Sequence, residues 1–192
     1  MLDIDNVFLF SDSDKRESFR AQNENDYLTE EYLLSSVDDG DTIKFSWLQG
    51  GKYYDIIATG YSGIYLVSEK TQSILKGAGF KGYSLRPITL TNKKHELVHG
   101  YRLLSVVSKV GSIINGKSGR KMMPPLVPWG DPYEAYIGLY FDVSTWDGSD
   151  FFYPEGTSYI FVVEEVKRLF EEHKVTNCQF HKVVELENYG IR

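Results

Sequence analysis

Tyr65-Leu66-Val67-Ser68-Glu69-Lys70-Thr71, continuing to Gly82-Tyr83-Ser84-Leu85-Arg86-Pro87-Ile88-Thr89, decides the fold because the chain presents its pattern twice. A gapless shift of 95 positions lays Val67 on Val162, Glu69 on Glu164 and Ile74-Leu75 on Leu169-Phe170. Phe80 then falls on Val175, Gly82 on Asn177, Leu85 on Phe180 and Ile88 on Val183. The match lies in the order of apolar, acidic and turn positions rather than in identities. Each copy opens with an apolar run, Ile64–Val67 or Tyr159–Val163, that reads as a buried strand. Acids follow where a first helical turn favours negative charge. Helical spacing then takes over, through Thr71, Ile74, Leu75 and Ala78 or Val166, Leu169, Phe170 and His173. Gly82 and Asn177 both tolerate positive φ and can turn the chain into a returning strand. The expected unit is strand, helix, strand.

From this unit outward, the chain reads as one α+β domain spanning residues 1–192. It is built on a mixed β-sheet with two pseudo-repeated strand-helix-strand units, at about 64–90 and 159–186. Hydrophobic content of 42% and charged content of 25% belong to a soluble globular protein. No apolar run has the length of a membrane helix, and the N-terminus lacks the basic and apolar segments of a secretory signal. A cytoplasmic protein with no membrane partner is expected. The single cysteine, Cys178, falls in a predicted strand and reads as a buried thiol.

Charge is segregated along the chain. Residues 1–41 hold twelve acids against three basic residues, and residues 122–192 hold twelve against five. Between them, residues 70–121 hold eleven Lys or Arg against Glu96 alone. Such asymmetry points to charged partners or to segments that neutralise one another.

Several further elements are expected in order. Val7–Phe10 reads as a first strand, and the polar stretch from Asp12 to Asn25 as a loop. Thr29–Leu34 reads as a short helix capped by Thr29. Ile43–Trp47 reads as a strand, with a hairpin turn at Gln49–Lys52 leading into Tyr53–Ala58. Pro87 places the first returning strand at an edge or a bulge. Leu97–Val110 is valine-rich and reads as a strand, Asn115–Pro132 as a long Gly/Pro loop, and Tyr133–Asp142 as another strand.

Two motifs suggest enzymes. His95-Glu96-Leu97-Val98-His99 spells the zinc-protease signature, which requires a helix to bring both imidazoles to one metal. Gly100–Lys121 contains no Asp, Glu, His or Cys, so third-ligand candidates begin only at Asp131 and Glu134. Strand geometry would also turn Glu96 away from His95 and His99. Gly111–Ser118 matches the phosphate loop, whose chemistry needs a helix starting at Lys117. Pro124 and Pro125 leave room for barely one turn, and a turn at Asn115-Gly116 is the simpler reading. Asp142, Asp147, Asp150 and Glu155 miss the spacing of a calcium loop and read as turn residues. No G-x-S-x-G elbow is present. No catalytic residue, metal or cofactor is therefore assigned. A zinc-dependent hydrolase using His95, Glu96 and His99, or a nucleotide-binding protein using Gly111–Ser118, is the alternative reading.

The unit Ile64–Lys70, helix, Gly82–Ile88 resembles one found in a bacterial polymorphic-toxin immunity-protein family. That family was formerly catalogued as a domain of unknown function. Its members look similar in carrying a later copy, here Ile160–Glu165 to Val183, and an apolar strand between, resembling Glu96–Val107. The likeness covers about residues 40–186, and the chain departs from it at Val163, where Ser68 caps the first copy. The long Asn115–Pro132 loop is a further departure. The resemblance implies a non-catalytic protein that binds and neutralises a cognate secreted toxin domain, without direct contact to nucleic acid. Trp129 with Asp131, and Trp146 with Asp147 and Asp150, set rings beside carboxylates and are the candidate partner-binding residues.

Overall fold

The computed structural model describes residues 2–24, 43–125 and 127–188. In chain order the first strands are β1 (Val7–Ser11), β2 (Arg20–Asn23), β3 (Ile43–Gln49), β4 (Ile56–Ala58) and β5 (Tyr65–Ser68). Helix α1 (Glu69–Ala78) leads to β6 (Tyr83–Arg86), β7 (Ile88–Leu90), β8 (Tyr101–Val106) and β9 (Lys109–Val110). Then come β10 (Gly119–Met123), β11 (Tyr133–Ile137), β12 (Phe151–Pro154) and β13 (Ile160–Val163). Helix α2 (Glu164–Glu172), β14 (Gln179–Lys182) and β15 (Glu187–Asn188) follow. The class is α+β, with mixed sheets.

Two larger sheets carry the core. One has the order β14-β1-β13-β12-β9 and the other β4-β5-β8-β6. Alternation divides each between two faces. Ile56, Ala58, Tyr65, Val67, Leu104 and Val106 from the second sheet share a cluster with Phe8, Phe10, Phe151, Ile160 and Val162 from the first. Leu75 of α1 and Val166 and Phe170 of α2 join the same cluster, and all three are essentially inaccessible to water. Truncating any of them to alanine removes about 2–5 kcal/mol. The reverse faces pack elsewhere: Ile57, Leu66 and Leu103 under the small sheet β2-β3-β7, and Val7, Phe152 and Phe161 against Leu139, Phe141 and Val183.

Both strand-helix-strand stretches have the expected local chemistry. Ser68 caps α1 by accepting from the Thr71 amide, whereas Val163 offers α2 no side-chain cap. Glu69 occupies the first turn of α1, and Glu164 and Glu165 that of α2. Gly82 and Asn177 take φ values of 87° and 60°. Pairing follows the same offset of 95: Ile56 faces Val67 as Phe151 faces Val162, and Leu85 faces Leu104 as Phe180 faces Phe10. The strand inserted between the outgoing and returning strands differs in origin, being β8 in one sheet and β1 in the other. Pro87 separates β6 from β7, each at the edge of its sheet, so the proline stands where the chain changes sheets.

The structure corrects several expectations. Asp12–Asn25 is not simply a loop: Phe19 and Ala21 bury themselves in the second cluster and draw Arg20–Asn23 into a strand. Gln49–Lys52 does not close a hairpin onto 53–58. Strand β3 pairs with β2 and β7, while β4 pairs with β5 in another sheet. Residues 17–19 cross at this turn, the Phe19 amide donating to the Lys52 carbonyl at 2.8 Å. Gly50, at φ 69°, has no room for a Cβ there, which would lie 1.8 Å from the Ser18 carbonyl oxygen. The predicted strand 97–110 begins only at Tyr101, after Gly100 at φ 87°, and is interrupted before Lys109. Asn115–Pro132 is not one loop, because Gly119–Met123 pairs along β11 from Gly119↔Ile137 to Met123↔Tyr133. The predicted strand 133–142 stops at Ile137. The helix expected at Thr29–Leu34 lies outside the described residues.

Cys178 precedes β14 and packs against the central cluster. Burial pushes its thiol pKa up to about 12, which leaves it protonated and unreactive at neutral pH.

Candidate interaction surface

The zinc and phosphate motifs lose their geometry first. His95 sits at φ 62° in a turn whose amide donates to the Asn92 carbonyl, and Leu97 bridges back to Thr91. No helix brings His95 and His99 to one face, and both are exposed. Among the described residues no group of three or more His, Cys, Asp or Glu side chains could hold a metal ion. After Asn115–Lys117, a single turn of 3-10 helix, the chain enters strand β10, so no helix dipole points at Gly111–Ser118.

The candidate partner-binding residues separate into two places. Trp146, Asp147 and Asp150 belong to the turn before β12, and each is engaged within the fold. The Trp146 indole donates to the Ser149 carbonyl at 2.8 Å and its ring packs on the third cluster. Asp147 accepts from the Ser149 amide at 3.0 Å and the Ser108 hydroxyl at 2.8 Å. Burial raises the Asp147 pKa, but these hydrogen bonds outweigh it and hold the carboxyl below its usual range. Asp150 accepts from the Lys81 amide at 2.7 Å and so fastens the turn after α1 to the start of β12.

Asp55 makes the corresponding contact 95 residues earlier. Its carboxylate accepts from the Thr176 amide at 2.9 Å, and the Thr176 hydroxyl, Ser68 hydroxyl and Lys70 ammonium also donate to it. A sequence reading that saw Asp150 as a ligand for a partner missed this role. The signal was present, since the offset that aligns the strands also aligns Asp150 with Asp55.

Trp129 and Asp131 are placed differently. They lie in the connection between β10 and β11, where a turn closes from the Gly130 amide to the Val127 carbonyl at 2.9 Å. Trp129 is 85% exposed, and Val127 in the same connection 42%. Met122, on β10, is 66% exposed. Strand β10 is an edge strand and contributes no residue to the three core clusters; residues 119–122 are all exposed. Met122, Val127 and Trp129 are thereby left as exposed large apolar side chains at this end of the fold. Arg120 lies over the Tyr136 ring and 3.4 Å from Glu134, while Lys121 is 3.4 Å from Glu187. These pairs are solvated and contribute little to stability. Met122 and Val127 were not singled out in the sequence, because a Gly/Pro-rich reading of 115–132 hid the strand.

Comparison of the chain with family models and with curated proteins finds no match. No helix among the described residues is long and apolar enough to cross a membrane.

Proposed function

We propose that this chain is an immunity protein that binds and neutralises a cognate secreted bacterial toxin domain, without catalysis. The observation that carries the reading is Trp129, an indole left 85% exposed in the connection between β10 and β11, which also exposes Val127 and follows a strand that exposes Met122. An inhibitor needs a preorganised surface with a large aromatic anchor, and tryptophan is enriched among such anchors. Strand pairing from Gly119↔Ile137 to Met123↔Tyr133 fixes both ends of the connection that carries Trp129, which lowers the ordering cost of docking. Asp131, two residues further along the chain, offers a carboxylate for a charge-assisted contact to a basic cleft. The family resemblance of the strand-helix-strand unit supports the same role.

The test is co-purification with the product of the neighbouring gene, followed by affinity measurement. Trp129→Ala with Met122→Ala weakens the complex by well over tenfold, about 1.4 kcal/mol per decade, without lowering the melting temperature. A folded double variant that still binds and protects fully overturns this interface. The absence of any toxin partner overturns the function with it.

A further inference from the structure

A concavity, none of whose lining residues belongs to the hairpin, lies between the turn 47–53 and the turn 92–96. Its volume is about 280 Å³, and Phe19, Trp47, Tyr53, Lys93, Lys94 and Glu96 are among the side chains that line it. Hydrogen bonds brace both walls. On one side the Gly51 and Lys52 amides donate to the Glu17 carbonyl, and the Trp47 indole donates to the Gly50 carbonyl at 2.7 Å. On the other, the Asn92 side chain accepts from the Lys94 and Glu96 amides and donates to the Glu96 carboxylate at 2.8 Å. The Tyr53 ring stacks on buried Phe19 at 4.8 Å between centroids, yet Tyr53 remains 43% exposed. The fold thus holds an aromatic surface open at a fixed place.

The charges at the rim select the ligand. Lys93 and Lys94 form no ion pair among the described residues, and the Lys93 ammonium rests 4.8 Å from the Trp47 ring centroid. Glu96, the one carboxylate, is already bound by Asn92. Burial, reinforced by the Glu96 charge, raises the Tyr53 phenol pKa, so that phenol stays neutral and able to donate. A cationic guest would meet two lysines, whereas Lys93, displaced from Trp47 by any ring that stacks there, can pair only with an anionic one. An anionic ring can lie on the Trp47 and Tyr53 surfaces while its charge meets those ammonium groups. The volume stands at the small end of the range for ligand clefts and admits a ring system.

We propose that this cleft binds a single planar ring carrying or flanked by negative charge. The ring comes either from a small aromatic acid or from an aromatic residue in an acidic peptide. The hairpin function does not enter this inference. Titration of isotopically labelled protein, followed by NMR at the Trp47 indole N–H and the 50–53 and 92–96 amides, tests it. Phenylacetate and the peptide acetyl-Asp-Trp-Asp-amide are the anionic probes, and benzylamine and phenethyl alcohol are the controls.

The expected result is a saturable shift with at least one anionic probe, weakened about tenfold by Lys93→Glu with Lys94→Glu and also by added salt. Both lysines are exposed, so that variant keeps its fold. Comparable affinity for phenylacetate and the peptide assigns a small acid, and much tighter peptide binding assigns a protein segment. Benzylamine or phenethyl alcohol binding as well as the anions overturns the proposal. So does the lack of saturation with both anionic probes at millimolar concentration, or an affinity that the lysine variant leaves unchanged. Trp129→Ala leaves these shifts in place, which separates this site from the hairpin.

Discussion

Asp55→Ala is the perturbation that most directly tests how the two sheets are fastened. The Asp55 side chain is 14% exposed and accepts from the Thr176 amide and hydroxyl at 2.9 Å and the Ser68 hydroxyl at 2.8 Å. Lys70 adds an ammonium at 3.0 Å, but it is 45% exposed and counts for little. Hydrogen bonds to a charged acceptor contribute about 1.5–3 kcal/mol each, and hydroxyls that can turn to water fall at or below the low end. The sum for Asp55 is therefore about 3–5 kcal/mol. Asp150 offers one such bond, to the Lys81 amide at 2.7 Å, so Asp150→Ala costs about 1.5–2 kcal/mol. Urea unfolding followed by far-UV circular dichroism gives both values from the midpoints and the shared slope. An Asp55→Ala cost equal to or below that of Asp150→Ala refutes the reasoning. So does a cost under about 1 kcal/mol, which would place it in the range of an ordinary solvated pair.

Acid should act through the same residue. Burial raises the Asp55 pKa, but its hydrogen bonds outweigh this and set it below the ordinary value of 3.8. Its contribution is then fully present above that value and disappears as pH falls through the lower, folded pKa. The difference in stability between the parent and Asp55→Asn should accordingly narrow in that acidic window and stay constant from pH 5 to 7, a range about one unit clear of it. Gly82→Ala should destabilise by more than about 3 kcal/mol in the same unfolding assay, since φ is 87° and a Cβ would lie 2.0 Å from the Phe151 carbonyl oxygen. Protein purified without chelator should carry no stoichiometric zinc by elemental analysis; one zinc per chain lost in His99→Ala would reverse that expectation. Cys178 should resist a thiol reagent at pH 8 until the protein is unfolded, because its pKa stands near 12.

The order strand, helix, strand at Tyr65–Arg86 and at Ile160–Lys182 was legible in the sequence because its determinants are local. Alternation, first-turn acids, Ser68 at the cap and residues fit for positive φ each act within a few positions. The candidate site was legible only in part. Trp129 and Trp146 stand in similar surroundings, each beside Gly and Asp, and composition alone treats them alike. The fold separates them: the Trp146 indole finds the Ser149 carbonyl and the third core cluster, while Trp129 finds neither. Strand β10 was hidden because its partner β11 lies across a proline-rich connection, and pairing is a property of two segments at once. The turn at Gly50 was readable as a turn. Its meaning was not, since the crossing chain at 17–19 that forbids a Cβ there is more than thirty residues away. Periodicity over short windows thus determined the two strand-helix-strand stretches. Only the tertiary structure, which decides what each side chain meets across the chain, determined that Asp150 fastens two segments and Trp129 faces solvent.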